Sequence, residues 1–429
     1  MLRDELYERI REIPIIDVHS HLPRDQMSAR DLSDVMFYHM IRYPLRALGV
    51  AEETLWPAEG NAFDPARAYA EAEPHWQAIG DTSFGWALNT ILRELYDFDE
   101  PITAESLPRL QQAFEERTAR ADWAESVLAK ANVRRILSSR TNVSPLASGQ
   151  GDGGIRFTIE SAPTSGIREF HTWAQRVRRL NELAGKKVAT LGGLREAVAG
   201  FYEQFDWSGK RALVSWVSSE AEFRPIAPEA IDALLASAQA GHDLGRAGAR
   251  LLEAAFIRCT CEAIRGKTDT FQLCYGTQFV TPGPMHLVAR SAPQFASGFA
   301  HLAGEFPEIH FNMLSGYEVD EPTWCSLCLG HKNVSLGGYW WGGFYPAVMQ
   351  AAWHRRLDMV PTSRLCGFFS DGYCVDWIFA RVRTTQRVLA NVLAEKIERG
   401  FYTPDQALRV AREILFETPR RLFLADEAV

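Results

Sequence analysis

Two histidines stand one residue apart in "PIIDVHSHLPRDQ", residues 14–26, at the end of an apolar run. Side chains at i and i+2 of a strand lie on one face, so His19 and His21 can chelate a single cation from one edge. Neutral imidazole is the commonest side-chain ligand for divalent transition metals. A bare His-x-His also occurs as a pair of solvated or capping residues. The chemical reading gains weight from Asp371 in "FFSDGY", which ends another apolar run near the far end of the chain. If those two runs lie side by side, a His/His/Asp set for one divalent ion is complete. The plainer role for Asp371 is a cap on the next helix.

The elements that must position these residues recur along the chain. Eight short apolar runs stand out: "PIIDVHSHL" (14–22), "VRRILSSRT" (133–141), "GIRFTIES" (154–161), "RALVSWVSS" (211–219), "TFQLCYGTQ" (270–278), "IHFNMLSG" (309–316), "NVSLGGYWW" (333–341) and "LCGFFSDGY" (365–373). They are continuously apolar rather than alternating, as parallel strands covered on both faces are. Helical patterns separate them, such as "AGARLLEAAFIRCTCEAIRGK" (247–267) and "SAPQFASGFAHLAGEF" (291–306). Eightfold strand–helix alternation predicts an α/β fold, a (β/α)8 TIM barrel, whose active site sits at the C-terminal ends of the strands. The long interval after the first strand holds "ARDLSDVMFYHMIRYPLRAL" and "SLPRLQQAFEERTARADWAESVLAKA", both amphipathic. A single domain over 1–429, with a helical insertion at about 28–131, is expected.

Bulk properties narrow the partners. The chain has 429 residues, 46% of them hydrophobic, and a formal net charge of −8, which allows a large core and disfavours a nucleic-acid backbone or an anionic membrane surface as partner. No window reaches the ~20 apolar residues of a membrane span. The N-terminal "MLRDELYERIREI" has helical spacing rather than the uninterrupted apolar core of a secretion signal. Seven cysteines are too sparse for a disulfide framework. A soluble cytoplasmic protein with reduced thiols is expected, assembled as a homo-oligomer.

"DVHSHL" after an apolar strand, with a lone aspartate closing the eighth, resembles the amidohydrolase superfamily. Finer features resemble its uronate isomerase branch: "DLSDVMFYHMIRYPLRAL" soon after the His pair, "NMLSG", "GGYWWG", "FFSDGY" and the closing "ILFETPRRLF". The order of elements matches over nearly the whole chain, whereas motif-level similarity is confined to these patches. The resemblance implies a metal site. Its two-metal members bridge the ions with a lysine at strand four, which "RALVSWVSS" lacks, so one divalent ion, Zn2+, held by His19, His21 and Asp371 is predicted. Cys274 stands where a further histidine often ends strand five; it is a possible fourth ligand, or a small buried hydrophobe, the commoner role. The implied activity is aldose–ketose isomerisation of a hexuronate or related sugar acid, with Asp371 or a metal-bound water as base. His39 matches the family's histidine in the helix after strand one and would contact substrate oxygens, and Arg46 would supply nearby charge.

The chain also departs from that family. Its Asp-x-Arg is Asp371-Gly372-Tyr373 here, and the tyrosine after the helix histidine is Met40. Strand three ends in Glu160 rather than in an arginine followed by an acid. Tyr373 can donate a hydrogen bond or exchange a proton in place of the lost group. Arg140 can substitute as an anion partner, and Glu160 as a second acid/base or hydroxyl ligand. Of Trp340 and Trp341, one is expected to line the pocket, where a sugar face stacks. Competing readings are a metal-dependent hydrolase of a lactone, ester or amide, a decarboxylase, and a non-catalytic binding barrel. "CSLCLGH" (325–331) and "CTC" (259–261) read as core cysteines on helices.

Overall fold

Ile15, Ile16 and Val18 are β-branched residues that pack well on a pleated surface, and they open the first strand, β1 (Ile15–Ser20). The computed structural model describes residues 2–23, 25–58, 60–139, 155–160, 172–204, 207, 210–268, 270–280, 285–288, 293–316, 318–339 and 342–425, the backbone alone for 155–160, 210–211, 277–280, 285–288 and 293. After β1 come β2 (Val133–Ser138), β3 (Ile155–Glu160), β4 (Lys210–Trp216) and β5 (Thr270–Tyr275). A two-stranded hairpin follows, β6 (Thr277–Val280) and β7 (Met285–Val288), and then β8 (His310–Ser315) and β9 (Val334–Tyr339). Strands β1–β5, β8 and β9 pair in chain order, every pair parallel. The hairpin pairs with itself alone.

Residues 365–372 close the cylinder. Leu365 bridges Leu336 in parallel, and the Cys366 amide donates to the Leu336 carbonyl at 2.8 Å. On the other side, Val18 N–H donates to Phe368 O at 3.4 Å, Asp371 N–H to His19 O at 3.1 Å, and His21 N–H to Gly372 O at 2.9 Å. This eighth stave is not a regular strand, because the Gly367 amide turns to Ile414 O at 2.6 Å in the π-helical turn Glu413–Glu417. A Cβ on Gly367 would lie 3.0 Å from that carbonyl oxygen, so any larger residue would have to push the turn back by a few tenths of an ångström. The architecture is thus the (β/α)8 barrel that the strand–helix alternation predicts.

Inside the cylinder, Ile16, Val18, Leu137, Val214, Cys274 and Leu314 pack together, and Phe416 and Phe423 from the C-terminal helices complete that core. A larger apolar layer fills the space between sheet and helices. The two long helices expected after β1 are each broken. The first becomes Leu32–Met36 and His39–Ala47, the second Leu107–Thr118 and Trp123–Lys130. The first break has a packing cause. Phe37 turns its ring to Tyr69 and Trp76, while Tyr38, its neighbour, stacks on Trp377 at 4.4 Å. One helical turn cannot point consecutive residues that far apart, so Tyr38 takes extended ψ (142°) and becomes the N-cap of the next helix. No described helix is long and apolar enough to cross a membrane.

Under β9 lies a fully buried ion pair. Arg356 Nε and Nη2 donate to the Glu321 carboxylate at 2.8 and 2.7 Å, and Nη1 donates to Gly337 O. Breaking it from one side leaves an uncompensated buried charge. Arg356→Met is expected to lower the unfolding free energy by about 3–5 kcal/mol in urea titration. Adding Glu321→Leu to that variant should recover most of the loss, since an apolar pair needs no partner.

Candidate metal centre

The end of β1 places its histidines by a departure from regular alternation. Ile16 and Val18 belong to the inner core, so strict period two would turn residue 19 to the outer face. The register of β1 against β2 shifts between Asp17 and Ser20, and His19 instead lies edge-on to Trp216 (6.0 Å) and Phe369 (5.8 Å) at the inner face. His21 stands beside it, ring centroids 5.1 Å apart. Across the seam, Asp371 adopts left-handed backbone (φ 53°), which aspartate tolerates better than most residues. Its Oδ1 lies 3.1 Å from His21 Nε2 and 3.8 Å from His19 Nε2.

Protons decide what this trio can bind. The Ser139 hydroxyl sits 2.9 Å from His21 Nδ1 and donates to Ser20 O at 3.2 Å. In the tautomer in which Nδ1–H donates to Ser139, the lone pair of His21 is on Nε2, facing Asp371. His19 is held neutral: burial, then the neighbouring His21, lower its pKa to about 4 against the pull of Asp371 and Gln272. Burial would raise the Asp371 pKa, but His21, with His19 and His39, brings it below the usual carboxylate value. Both ring nitrogens of His19 and Asp371 Oδ1 are buried without a hydrogen-bond partner. Lone pairs this close repel unless a cation lies among them. Ligand bonds of about 2 Å set ligands roughly 3.3 Å apart, near the separations found here. Among the described residues, these three form the one group of three or more His, Cys, Asp or Glu side chains suited to an ion, their ligand atoms all within 4.8 Å.

Around the trio is an aromatic wall. Tyr373 stacks on His21 (4.9 Å, 21°) and meets His39 edge-on at 5.4 Å. Trp216 also lies parallel to the His21 ring, at 6.4 Å. His39 opens its helix, and burial lowers its pKa to about 4, with Asp371 pulling upward and His21, Arg42 and Arg381 downward. Behind the wall, Asp17 accepts from Ser370 N–H (2.9 Å), Ser370 Oγ–H (2.5 Å) and His19 N–H (3.3 Å). Burial raises its pKa to about 7 against those hydrogen bonds and Arg381.

Two other expected site residues, Arg46 and Cys274, are engaged outside the ligand trio. Arg46 pairs with Glu52 (3.5 Å) and covers Trp56, farther along the helix that His39 begins. Cys274 is fully buried in the inner core, which is the small-hydrophobe role, and is no member of the ligand group. Glu160 ends β3 beside Val214, its side chain outside the description. Arg140, Trp340 and Trp341 lie outside the described residues. Sequence reading missed Ser139, Trp216, Tyr38 and the Asp17–Ser370 clasp. Trp216 had a usable signal, as the bulky residue near the end of a strand run. Asp17, a charge inside an apolar strand, had one too.

No protein-family model matches the chain. A uronate isomerase of Cutibacterium acnes is 22% identical, over 98% of this chain and 94% of that protein. The crystal structure of uronate isomerase from Thermotoga maritima superposes with TM-score 0.83 at 18% identity, covering 99% of this chain and 97% of that one. Glucuronate isomerase from Caulobacter crescentus gives TM-score 0.84 at 16% identity, covering 100% and 95%. Metal analysis of the purified protein is expected to find about one divalent ion per chain, and near none in His19→Ala or His21→Ala, which each lose a chelating imidazole.

Proposed function

We propose that the chain is a distant member of the uronate isomerase family, a metal-dependent isomerase converting a hexuronate or related sugar acid between aldose and ketose. The observation that carries the reading is the clustering of His19, His21 and Asp371, with both His19 ring nitrogens and Asp371 Oδ1 buried and without hydrogen-bond partners, in a barrel of the same fold. In this proposal those three residues hold Zn2+, which when bound supplies Lewis-acid polarisation of the sugar's oxygens. Asp371, kept anionic by its neighbours, takes the proton from the hydroxyl-bearing carbon and returns it to the adjacent carbonyl carbon, while the hydroxyl's own proton passes to the carbonyl oxygen. His39, kept neutral, offers an uncharged imidazole to a substrate hydroxyl without competing for the proton. Tyr373, 39% exposed at the mouth, presents a phenol where the substrate arrives, and Trp216 offers a ring face for the sugar.

A homo-oligomeric, cytoplasmic enzyme belongs to the same proposal, and the seven cysteines, all free, agree with a reducing compartment. Glucuronate and galacturonate, assayed with a ketose readout, are expected to turn over. Treatment with a zinc chelator should abolish that activity and added Zn2+ restore it. Asp371→Asn should reduce kcat about 10²- to 10⁴-fold, the usual contribution of a positioned base. Turnover of a lactone or amide panel without uronate turnover would instead assign the same trio to hydrolysis.

A further inference from the structure

We propose that Tyr38 is the positioning residue for the metal-site carboxylate, its phenol holding the left-handed Asp371 backbone that aims the side chain at His19 and His21. The inference rests on the reading of those three residues as ion ligands. Asp371 leaves the strand region at φ 53°, which turns its carbonyl out of the ladder between the closing stave and β1. A buried carbonyl without a partner is costly, and here the Tyr38 hydroxyl supplies the partner, donating at 3.1 Å.

The donor is itself rigid. Tyr38 is buried, stacks on Trp377 at 4.4 Å and 15°, and Trp377 Nε1 donates to Val35 O at 3.0 Å. The hold therefore comes from the break between two helices of the segment after β1, an element far in sequence from Asp371. The residue after Asp371 makes the hold necessary. Gly372 must be glycine, since a Cβ there would lie 2.5 Å from Ile378 Cγ1. Glycine widens the torsions open to the 371–372 peptide, and with its carbonyl uncapped that peptide keeps a single hold, the Gly372 N–H bond to Ser370 Oγ at 3.1 Å. Rotation toward ordinary backbone would swing the carboxylate off the two imidazoles.

Tyr38→Phe removes the hydroxyl and keeps the stack on Trp377, so the variant is expected to fold, with a melting temperature lowered by only a few degrees. Zn2+ affinity is measured on the full chain by competition with a chromophoric chelator, which needs no substrate. Partners of ligating groups typically carry about 10- to 100-fold in metal affinity, and a loss of about tenfold is expected for Tyr38→Phe. Tyr43→Phe, the same deletion one turn along the helix and packed on Trp56, should leave affinity unchanged. Equal Zn2+ affinity in wild type and Tyr38→Phe, or equal losses in both variants, would overturn the proposal. A wild-type chain that takes up no Zn2+ would overturn the metal reading and this one with it, whereas Zn2+ binding without uronate turnover would leave the positioning role intact and count only against the substrate.

Discussion

The seam between the first strand and the closing stave is the constraint on which the site depends. His19 and Asp371 are separated by most of the polypeptide, yet their backbones are directly bonded, Asp371 N–H to His19 O. Closing a loop of that length costs conformational entropy that grows only slowly with its length. The barrel meets that cost through its core and gains register in return. Once Cys366 bonds Leu336 on one side and Gly372 O accepts from His21 on the other, Asp371 has one place to be. A slip of one residue along the stave would turn the carboxylate away from both imidazoles.

Asp17 tightens that seam. Its oxygens accept from two backbone amides and one hydroxyl, and because Ser370 spends its hydrogen there, its Oγ is left to accept from Gly372 N–H at 3.1 Å. Each donor and acceptor in this clasp has one consistent assignment. The clasp places a carboxylate in a dry interior, where burial drives its pKa to about 7. The compensating charge is Arg381, buried against the Phe344 ring at 4.0 Å, its own pKa pulled by burial to about 10 while Asp371, Tyr38 and Asp17 oppose the fall. A guanidinium outside the ligand trio balances two carboxylates without reaching either, so Asp371 keeps its oxygens for a cation.

What the sequence disclosed follows from where local rules hold. Continuous apolar runs are the signature of parallel strands covered on both faces, and seven of the eight match pairing strands of the barrel. The eighth, 365–373, was legible by its position, although its amides are divided among β9, the π-helical turn and β1, a tertiary arrangement without a local pattern. The hairpin Thr277–Val288 was illegible because its first strand runs on from β5 with a single residue between them. Helical periodicity carried through Phe37 and Tyr38 without a glycine or proline to mark the break, since two aromatic anchors made it. Tyr38 therefore escaped notice although it touches Asp371. Cys274 and Arg46 were placed at the site by position, and packing with a nearer carboxylate took each of them.

The same competition for partners bears on how a sugar acid would be recognised. Arg42 gives Nε and Nη1 to Phe37 O and Leu55 O, each at 2.6 Å, Arg46 gives its charge to Glu52, and Arg381 lies under Phe344. Arg42 and Arg46 tie the helical segment to itself and Arg381 lies behind the closing stave, so all three are already engaged with partners of their own. With Tyr373 standing where the uronate isomerase pattern has arginine, the described mouth meets an anion with neutral donors and ring faces: a phenol, the His39 imidazole and Trp216. Neutral donors bind a carboxylate more weakly than a guanidinium fork does, and they discriminate less against an uncharged analogue. On the proposed function, and among the described residues, the hydroxyl-bearing end of the substrate, facing the ligand trio, would carry more of the selectivity than its acid end.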